Sequence, residues 1–222
     1  MECEINKLLA ECVNKVDPTI LDIGANDGMT ALSFKKIFPN SVIHCFEPDI
    51  RAYHRAVALC SNVKDLFIHQ IAISRLDGVQ NFYKSNGHHP KDMALMAGRP
   101  MGWDLSGSLH KPRLHLKENP WVLFDEIVKV QTRSLDSWAK ENRIGNVDLI
   151  WMDVQGAEAD VLKGGKNVVK ESRFIFTEYF DYELYYEQPS LREIMDLLPG
   201  FSLLKKYEHD ALLENNSTRI VF

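Results

Sequence analysis

Short apolar runs alternate along this chain with longer segments in which apolar residues recur at helical spacing. Residues Thr19–Ile23 are β-branched or apolar apart from Asp22, which is the pattern of a short buried strand. In residues 29–38 the apolar side chains fall near one helical face. The sequence therefore predicts a strand, a turn and a helix in this part of the chain.

The same two patterns predict regular structure over most of the remaining chain. Further strands are predicted at residues 41–46, 66–73, 76–83, 147–152, 173–177, 201–207 and 218–222. Further helices are predicted at residues 49–60, 135–142, 156–170 and 191–198. Strands that alternate with helices favour an α/β fold in which helices cover both faces of a mostly parallel sheet.

Length and composition indicate one domain over residues 1–222. The chain has 222 residues, of which 45% are hydrophobic, enough for one sizeable core and short for two. Its net charge of -5 gives no general attraction for nucleic acid. No apolar signal region or membrane-spanning run is visible, so we expect a cytoplasmic protein without a membrane partner. The cysteines lack zinc-site spacing and are expected to be reduced.

Residues from about 84 to 122 interrupt the alternation of strands and helices. This insert is rich in Gly, Pro and His, and it is longer than an ordinary connection within a domain. We expect it to form a lid over the ligand site and to contribute to an acceptor pocket, the alternative being a passive surface excursion. Its histidines are not spaced like ligands on one helix, so each is expected to be exposed: His88, His89, His110 and His115.

The turn after the first predicted strand indicates the kind of ligand. Gly24 and Gly28 permit positive φ and a close approach of the backbone, and the helix that follows offers unpaired N–H groups to an anion. Asp22 would repel a pyrophosphate, and Asn26 replaces the middle glycine of the dinucleotide pattern. The turn therefore suits a ligand with an ammonium beside a carboxylate, such as S-adenosylmethionine.

A second acidic residue supports the same ligand. Glu47 ends the second predicted strand, roughly twenty residues beyond the turn, where an acid can accept hydrogen bonds from both ribose hydroxyls. The alternatives are local roles, with Asp22 satisfied by loop amides and Glu47 beginning a helix before Pro48. We favour the donor site because two linked signals agree.

Another group of polar residues follows the predicted strand 147–152. Asp153 would lie near the donor methyl group, where it could accept a proton from an acceptor hydroxyl or hold a divalent cation that lowers the hydroxyl pKa. Glu178 ends the next predicted strand at the same sheet edge, so it is the second candidate for either role. For Glu158, a site role and an interaction with its own helix N-terminus both stay open.

Several of these motifs together resemble the FkbM family of S-adenosylmethionine-dependent methyltransferases. The matching motifs are ILDIGANDGM at 20–29, FEP at 46–48, IAIS at 71–74, RSLDS at 133–137, DLIWMDVQGAE at 148–158, and Gly164. The resemblance covers about residues 19–178 and is most specific in DVQGAE. It implies a class I methyltransferase fold, with a seven-stranded sheet whose last strand is antiparallel. It also implies transfer to an oxygen of a natural product or sugar.

With the resemblance added, the expected site can be written out in full. The residues expected around the donor are Asp22, Gly24, Ala25, Asn26, Gly28, Thr30, Glu47, Pro48, Ala72, Ile73, Asp153 and Gln155. Asp153 and Glu178 are the catalytic candidates. Trp151 departs from the family, because many relatives have a lysine there, so no role of that lysine carries over. The expected cofactor is S-adenosylmethionine, with a divalent cation left open.

Two other functions are alternatives to methyl transfer to a small hydroxylated acceptor. A nicotinamide-dependent oxidoreductase is disfavoured by Asp22 and by the missing middle glycine. A non-catalytic module that binds S-adenosylmethionine is disfavoured by the carboxylates at the sheet edge. A nucleobase acceptor is disfavoured because residues 153–156 read DVQG, without the Asn/Asp-Pro-Pro-Tyr element of base-modifying enzymes. Oligomeric state stays open.

Overall fold

A sheet of seven strands and a smaller sheet of three organise this computed structural model, which describes residues 2–89 and 102–218. The strands are β1 (Thr19–Ile23), β2 (Val42–Phe46), β3 (Leu66–His69), β4 (Ala72–Ser74), β5 (Gly78–Gly87), β6 (Val122–Ser134), β7 (Leu149–Met152), β8 (Phe174–Glu178), β9 (Phe201–Lys206) and β10 (Asp210–Asn215). The helices are α1 (Glu2–Val13), α2 (Met29–Ile37), α3 (Ile50–Cys60), α4 (His115–Glu118), α5 (Leu135–Glu141), α6 (Glu158–Gly164), α7 (Lys166–Glu171) and α8 (Leu191–Asp196).

The large sheet confirms the predicted α/β fold. Its order is β3-β2-β1-β7-β8-β10-β9. Neighbours pair in parallel from β3 to β8, whereas β10 is antiparallel to both β8 and β9. Because the chain leaves β1 toward β2 on one side and later returns to β7 on the other, the strand order reverses at β1. In open α/β sheets, ligands bind at the carboxyl ends of the strands beside such a reversal.

Both faces of the large sheet are buried, as the near-continuous apolar strands require. In β1, Leu21 and Ile23 pack into a core that includes α5, α6 and α8, whereas Ile20 packs into the core on the side of α1 and α2. Alternate residues of a strand point to opposite faces. Asp22 therefore points to the same face as Ile20, toward α1 and α2. No helix in the described part of the chain combines the length and apolar character that a membrane crossing requires.

The predicted strand at residues 66–73 is wrong as a single element. The chain changes sheet between His69 and Ala72, so β3 ends the large sheet and β4 joins β6 and β5 in the small one. The bend falls at the polar residues His69 and Gln70, which interrupt the apolar run. Strand β6 was not predicted. Only three of its 13 residues are buried, and its support comes from pairing with β5.

Other boundaries also differ from the sequence-based expectation. The predicted helix 156–170 is two helices, α6 and α7, which meet at Gly164 and Gly165. A Cβ atom on Gly164 would lie 2.1 Å from the carbonyl oxygen of Ser74, so glycine is needed where α6 crosses β4. Among the described residues the last strand is β10, and Thr218 ends a 3-10 helix. Residues 219–222 of the predicted strand 218–222 lie outside the described residues. Helix α1 was not predicted.

Candidate active site

A cavity lies at the carboxyl ends of β1, β2 and β7, beside the reversal of strand order. The space between its walls is about 630 Å³, part of it open to solvent. The expected donor residues in its wall are Gly24, Asn26, Glu47, Pro48, Ala72, Ile73, Asp153 and Gln155. The fold therefore gathers residues from four separate motifs around one space.

The turn after β1 can be built only with glycine at two positions. Gly24 has a φ of +91°, and a Cβ atom there would lie 1.8 Å from the carbonyl oxygen of Asp153. Gly28 has a φ of +81°, and its Cβ atom would lie 2.8 Å from the sulfur of Cys60. Both the left-handed backbone and the crowding exclude side chains. The turn thus packs directly against the end of β7 and against α3.

Glu47 projects from the end of β2 and is 6% exposed. One carboxylate oxygen accepts a hydrogen bond from the backbone N–H of Asn26 at 2.9 Å, and the other accepts one from Asp49 at 2.7 Å. A carboxylate has further lone pairs that can accept from a ligand. Burial raises the pKa of Glu47 to about 8, against the opposing effect of these two amides. Glu47 therefore fixes the glycine turn and faces the cavity as well.

Asp22 lies behind the turn, not in the cavity wall. It is 1% exposed, and the thiol of Cys45 lies 4.0 Å from one of its oxygens. Burial, and then the charge of Asp153, raise its pKa to about 7. The remaining expected donor residues also lie outside this wall: Ala25 is buried in the core, Gly28 packs on α3, and Thr30 lines another cavity.

Two carboxylates, Asp153 and Glu178, meet at the ends of β7 and β8. The side-chain amide of Gln155 donates to Asp153 at 2.7 Å and to Glu178 at 2.9 Å, and the two carboxyl groups also share a hydrogen bond. Burial raises both pKa values, and the charge of Asp153 raises that of Glu178 well above its usual range. The pair therefore holds a proton more readily than two separate exposed carboxyl groups would.

Glu158 has a local role in the structure. One of its oxygens accepts from the backbone N–H groups of Val154 and Gly156, at 3.3 and 3.2 Å, so it fixes the loop between β7 and α6. Burial raises its pKa to about 7. This contact supports the loop that carries Gln155, whose own φ is +53°.

A model of the methyltransferase FkbM domain matches residues 22–209 of the chain. The chain belongs to the FkbM methyltransferase family. It is 43% identical over 216 residues to 2-O-methyltransferase NoeI of Sinorhizobium fredii (strain NBRC 101917 / NGR234), covering 96% of this chain and 85% of the relative. The FkbM domain described here is therefore an S-adenosylmethionine-dependent methyltransferase.

Solved structures share the fold at low sequence identity. A methyltransferase FkbM from Methylobacillus flagellatus KT superposes with a TM-score of 0.52 at 12% identity, covering 89% of this chain and 43% of that one. An O-methyltransferase, named as putative, from Klebsiella pneumoniae superposes with a TM-score of 0.53 at 11% identity, covering 96% of this chain and 79% of that one. These likenesses show the class I methyltransferase fold.

The described part of the insert of this FkbM domain forms one wall of the cavity. The residues it contributes are Asp104, Leu105, Gly107, Ser108 and Leu109. The Asn26 amide donates to the carbonyl oxygen of Asp104 at 3.0 Å, and Arg55 forms an ion pair with the Asp104 carboxylate at 2.6 Å. Ser108 donates to the carbonyl oxygen of Gln155 at 2.7 Å. The described part of the insert thus contacts the glycine turn, α3 and the loop after β7.

Tyr185, from the loop after β8, completes the arrangement and had no signal in the sequence. Its hydroxyl lies 2.8 Å from the carbonyl oxygen of Ser106 and 3.0 Å from the Gln155 side-chain oxygen. A hydrogen bond to that oxygen holds the Gln155 amide with its NH₂ group toward the carboxylates. Tyr185 therefore links the insert to the carboxylate pair.

The histidines of the insert do not share one environment. His88 is exposed as expected, whereas His115 is 3% exposed and packs against Phe124 and Tyr185. His110 is largely buried and lies 3.2 Å from the Asp160 carboxylate, whose charge contributes to raising the pKa of this histidine against the effect of burial. The expectation of exposure is therefore wrong for His110 and His115, which support the insert.

The described residues contain no cluster of three or more His, Cys, Asp or Glu side chains arranged to hold a metal ion. At the carboxylate pair, the Gln155 amide directs its hydrogens at one oxygen of Asp153 and one of Glu178. A cation bridging these oxygens would require the amide to leave.

Proposed function

We propose that this FkbM domain transfers the methyl group of S-adenosylmethionine to a hydroxyl oxygen of a sugar or another natural product. The observation that carries the proposal is the cavity that joins the glycine turn, Glu47 and Ile73 to the Asp153–Glu178 pair. The 43% identity to a relative named as a 2-O-methyltransferase supports oxygen as the acceptor atom.

The cavity offers a place for each part of the donor. The turn at Gly24 and Asn26 would receive the amino-acid tail, with Asp22 behind it as a balancing negative charge. Glu47 would accept hydrogen bonds from the ribose hydroxyls, and Ala72 and Ile73 would contact the adenine. The cationic donor favours the ionised forms of Asp22 and Glu47, so its binding would lower their raised pKa values.

Transfer itself needs alignment and one proton acceptor. The acceptor oxygen attacks the methyl carbon as the carbon–sulfur bond breaks, and the bonding electrons leave with sulfur as a neutral thioether. Asp153 takes the hydroxyl proton, because it lies in the wall of the donor cavity and burial raises its pKa, which makes its carboxylate a stronger base. Gln155 and Glu178 hold the carboxylate in place, and the insert excludes water.

Proton transfer to Asp153 removes any need for a divalent cation. We expect full methyl transfer activity after exhaustive chelation, and no increase when Mg²⁺ or Mn²⁺ is added back. The measurement is transfer of labelled methyl to a hydroxylated acceptor before and after chelation. A loss of activity that the metal restores would assign the carboxylate pair to a cation instead.

The surroundings of the proposed reaction follow from the same observations. A net charge of -5 and the small cavity favour a small hydroxylated acceptor over a nucleic acid. We place the reaction in the cytoplasm, where S-adenosylmethionine is made and thiols such as Cys45 and Cys60 stay reduced.

Calorimetry with S-adenosylmethionine tests the donor site. We expect Asp22→Ala and Glu47→Ala each to weaken donor binding by about tenfold or more. Asp22→Ala removes the negative charge behind the turn, and Glu47→Ala removes the acceptor for the ribose hydroxyls. Asp125→Ala, an exposed acid on β6, serves as the control and should bind like the parent. Undiminished affinity in both site variants would contradict the proposal.

A transfer screen separates the enzyme from the non-catalytic alternative. A module that only binds the donor would show calorimetric binding without labelled methyl on any hydroxylated compound. A nicotinamide-dependent oxidoreductase is excluded because the chain belongs to a methyltransferase family. Asp153→Asn should retain donor binding and lose transfer, which distinguishes the reacting group from the binding groups.

A further inference from the structure

A second cavity lies beside the carboxylate pair, on the face of the large sheet that α1 and α2 cover. It encloses about 580 Å³ of free space, part of it open to solvent. Its floor is aromatic: Trp151 of β7 and Phe176 of β8 stack at 3.9 Å between ring centroids, and Phe34 of α2 meets Trp151 edge to face at 5.4 Å. The donor cavity already described shares none of these residues.

Strand geometry connects this cavity to the reacting groups. Asp153 follows Trp151 by two residues, and Glu178 follows Phe176 by two, so each carboxylate lies on the same face as the aromatic ring below it. Two residues of a strand span roughly 7 Å, about the width of one six-membered ring. A ring resting on the aromatic floor would therefore bring a substituent to the level of the carboxylate pair.

Polar groups surround the aromatic floor. Thr30 and Ser33 project from α2, and Asn6 of α1 donates to the Ser33 hydroxyl at 3.4 Å. Asp210 of β10 pairs with Glu178 across the sheet and also lines the cavity. Burial, and then the charge of Asp153, raise the pKa of Asp210 to about 6. An anionic ligand would meet this acidic group at close range, so the cavity suits a neutral one.

We propose that this cavity holds the acceptor, and that the acceptor is a neutral sugar ring. An apolar floor ringed by hydroxyl, amide and carboxylate groups matches a sugar, which has one C–H face and an edge of hydroxyls. The inference rests on the proposed function and deepens it. In the transfer step, the sugar oxygen bonds to the methyl carbon, the carbon–sulfur electrons stay on sulfur, and the hydroxyl proton passes to Asp153.

Another large cleft offers a matched control. It lies between α6, α8 and the loop after β8, encloses about 940 Å³, and is lined by Lys163, Tyr182 and Glu187 among others. Its residues lie on the opposite side of the sheet from α1 and α2, where α6 and α8 pack. An acceptor held there would be affected by different substitutions.

The test fills the proposed acceptor cavity and the control cleft, one at a time, by placing a tryptophan on a helix that lines each. Ser33→Trp places an indole in the proposed acceptor cavity without removing a core side chain, and Lys163→Trp does the same in the cleft at α6 and α8. Binding of methyl hexopyranosides is followed by saturation-transfer NMR with S-adenosylhomocysteine present, and the KM for the same glycosides is measured where transfer occurs. Thermal unfolding and calorimetry with S-adenosylmethionine check folding and the donor site.

We expect Ser33→Trp to abolish the glycoside NMR signal or to raise the acceptor KM at least tenfold, with donor affinity within twofold of the parent. Lys163→Trp should match the parent in glycoside binding or acceptor KM, and in donor affinity. Asp210→Asn, which adds no bulk, should raise the acceptor KM and leave donor affinity unchanged.

Several results would overturn the inference: unchanged glycoside binding in a folded Ser33→Trp, an effect confined to Lys163→Trp, no glycoside binding by the parent, or preference for a phenol over every glycoside. Failure of the proposed function looks different. In that case the parent binds donor and glycoside and transfers no methyl group, or it does not bind the donor at all.

Discussion

Replacing Asp22 with asparagine should stabilise the donor-free protein at alkaline pH while weakening donor binding. Asp22 is 1% exposed, and its pKa is raised from 3.8 to about 7, first by burial and then by Asp153. The folded state therefore holds the proton more tightly than the unfolded chain. Stability from this group is fully present below pH about 4 and is lost as pH rises through 7.

The difference between 3.8 and about 7 corresponds to about 4 kcal/mol of lost stability at pH 8. Asparagine has no charge to desolvate, so Asp22→Asn should avoid most of this loss. For a domain of this size, 1 kcal/mol changes Tm by roughly 2–4 °C. The expected gain in Tm is on the order of 10 °C at pH 8 without donor, shrinking as pH falls toward 5.

Thermal unfolding of the parent and Asp22→Asn between pH 5 and 8.5, with and without S-adenosylmethionine, provides the measurement. Asp125→Asn, at an exposed position on β6, controls for the loss of one negative charge. The donor should raise the Tm of the parent more than that of the variant. A variant whose Tm is lower than the parent's at pH 8, with an unchanged pH slope, would refute the argument that Asp22 is a strained buried charge.

Further substitutions test the turn, the base and the loop contact. Gly24→Ala should cost about 3 kcal/mol or more and abolish donor binding in denaturation and calorimetry, whereas Gly145→Ala, with nothing near its Cβ atom, should be nearly neutral. Asp153→Asn should lower kcat by roughly 10²–10⁴-fold and remove the fall in rate that the parent shows as pH drops; a parallel pH profile would argue against Asp153 as the base. Tyr185→Phe should lower kcat on the order of tenfold with donor affinity unchanged, while Tyr186→Phe, at an exposed ring, should leave both unaltered.

Local patterns predicted the parts of the fold that are determined locally. The strand Thr19–Ile23, the turn at Gly24 and the Asp49 cap of α3 follow from β-branching, positive φ and side-chain hydrogen bonding within a few residues. Glu47 was predicted from its distance beyond the glycine turn, and Asp153 from its place at the carboxyl end of a parallel strand. The α/β fold and the family were therefore confirmed.

The unpredicted parts depend on contacts between distant segments. β6 is stabilised by pairing with β5, and only three of its 13 residues are buried. Tyr185 and Ser108 contact Gln155 from two separate loops, and neither residue type predicts such a contact from the sequence. The aromatic floor formed by Trp151 and Phe176 reads in the sequence as ordinary strand core, so its cavity became visible only in three dimensions.

The Tyr185 hydroxyl carries one hydrogen but faces two acceptors, the carbonyl oxygen of Ser106 and the side-chain oxygen of Gln155. Insert and amide thus compete for a single proton. When that proton goes to Ser106, the Gln155 amide loses the bond that keeps its NH₂ group turned toward the carboxylates. Seating of the insert and orientation of the Gln155 amide are, in consequence, coupled through one hydrogen atom.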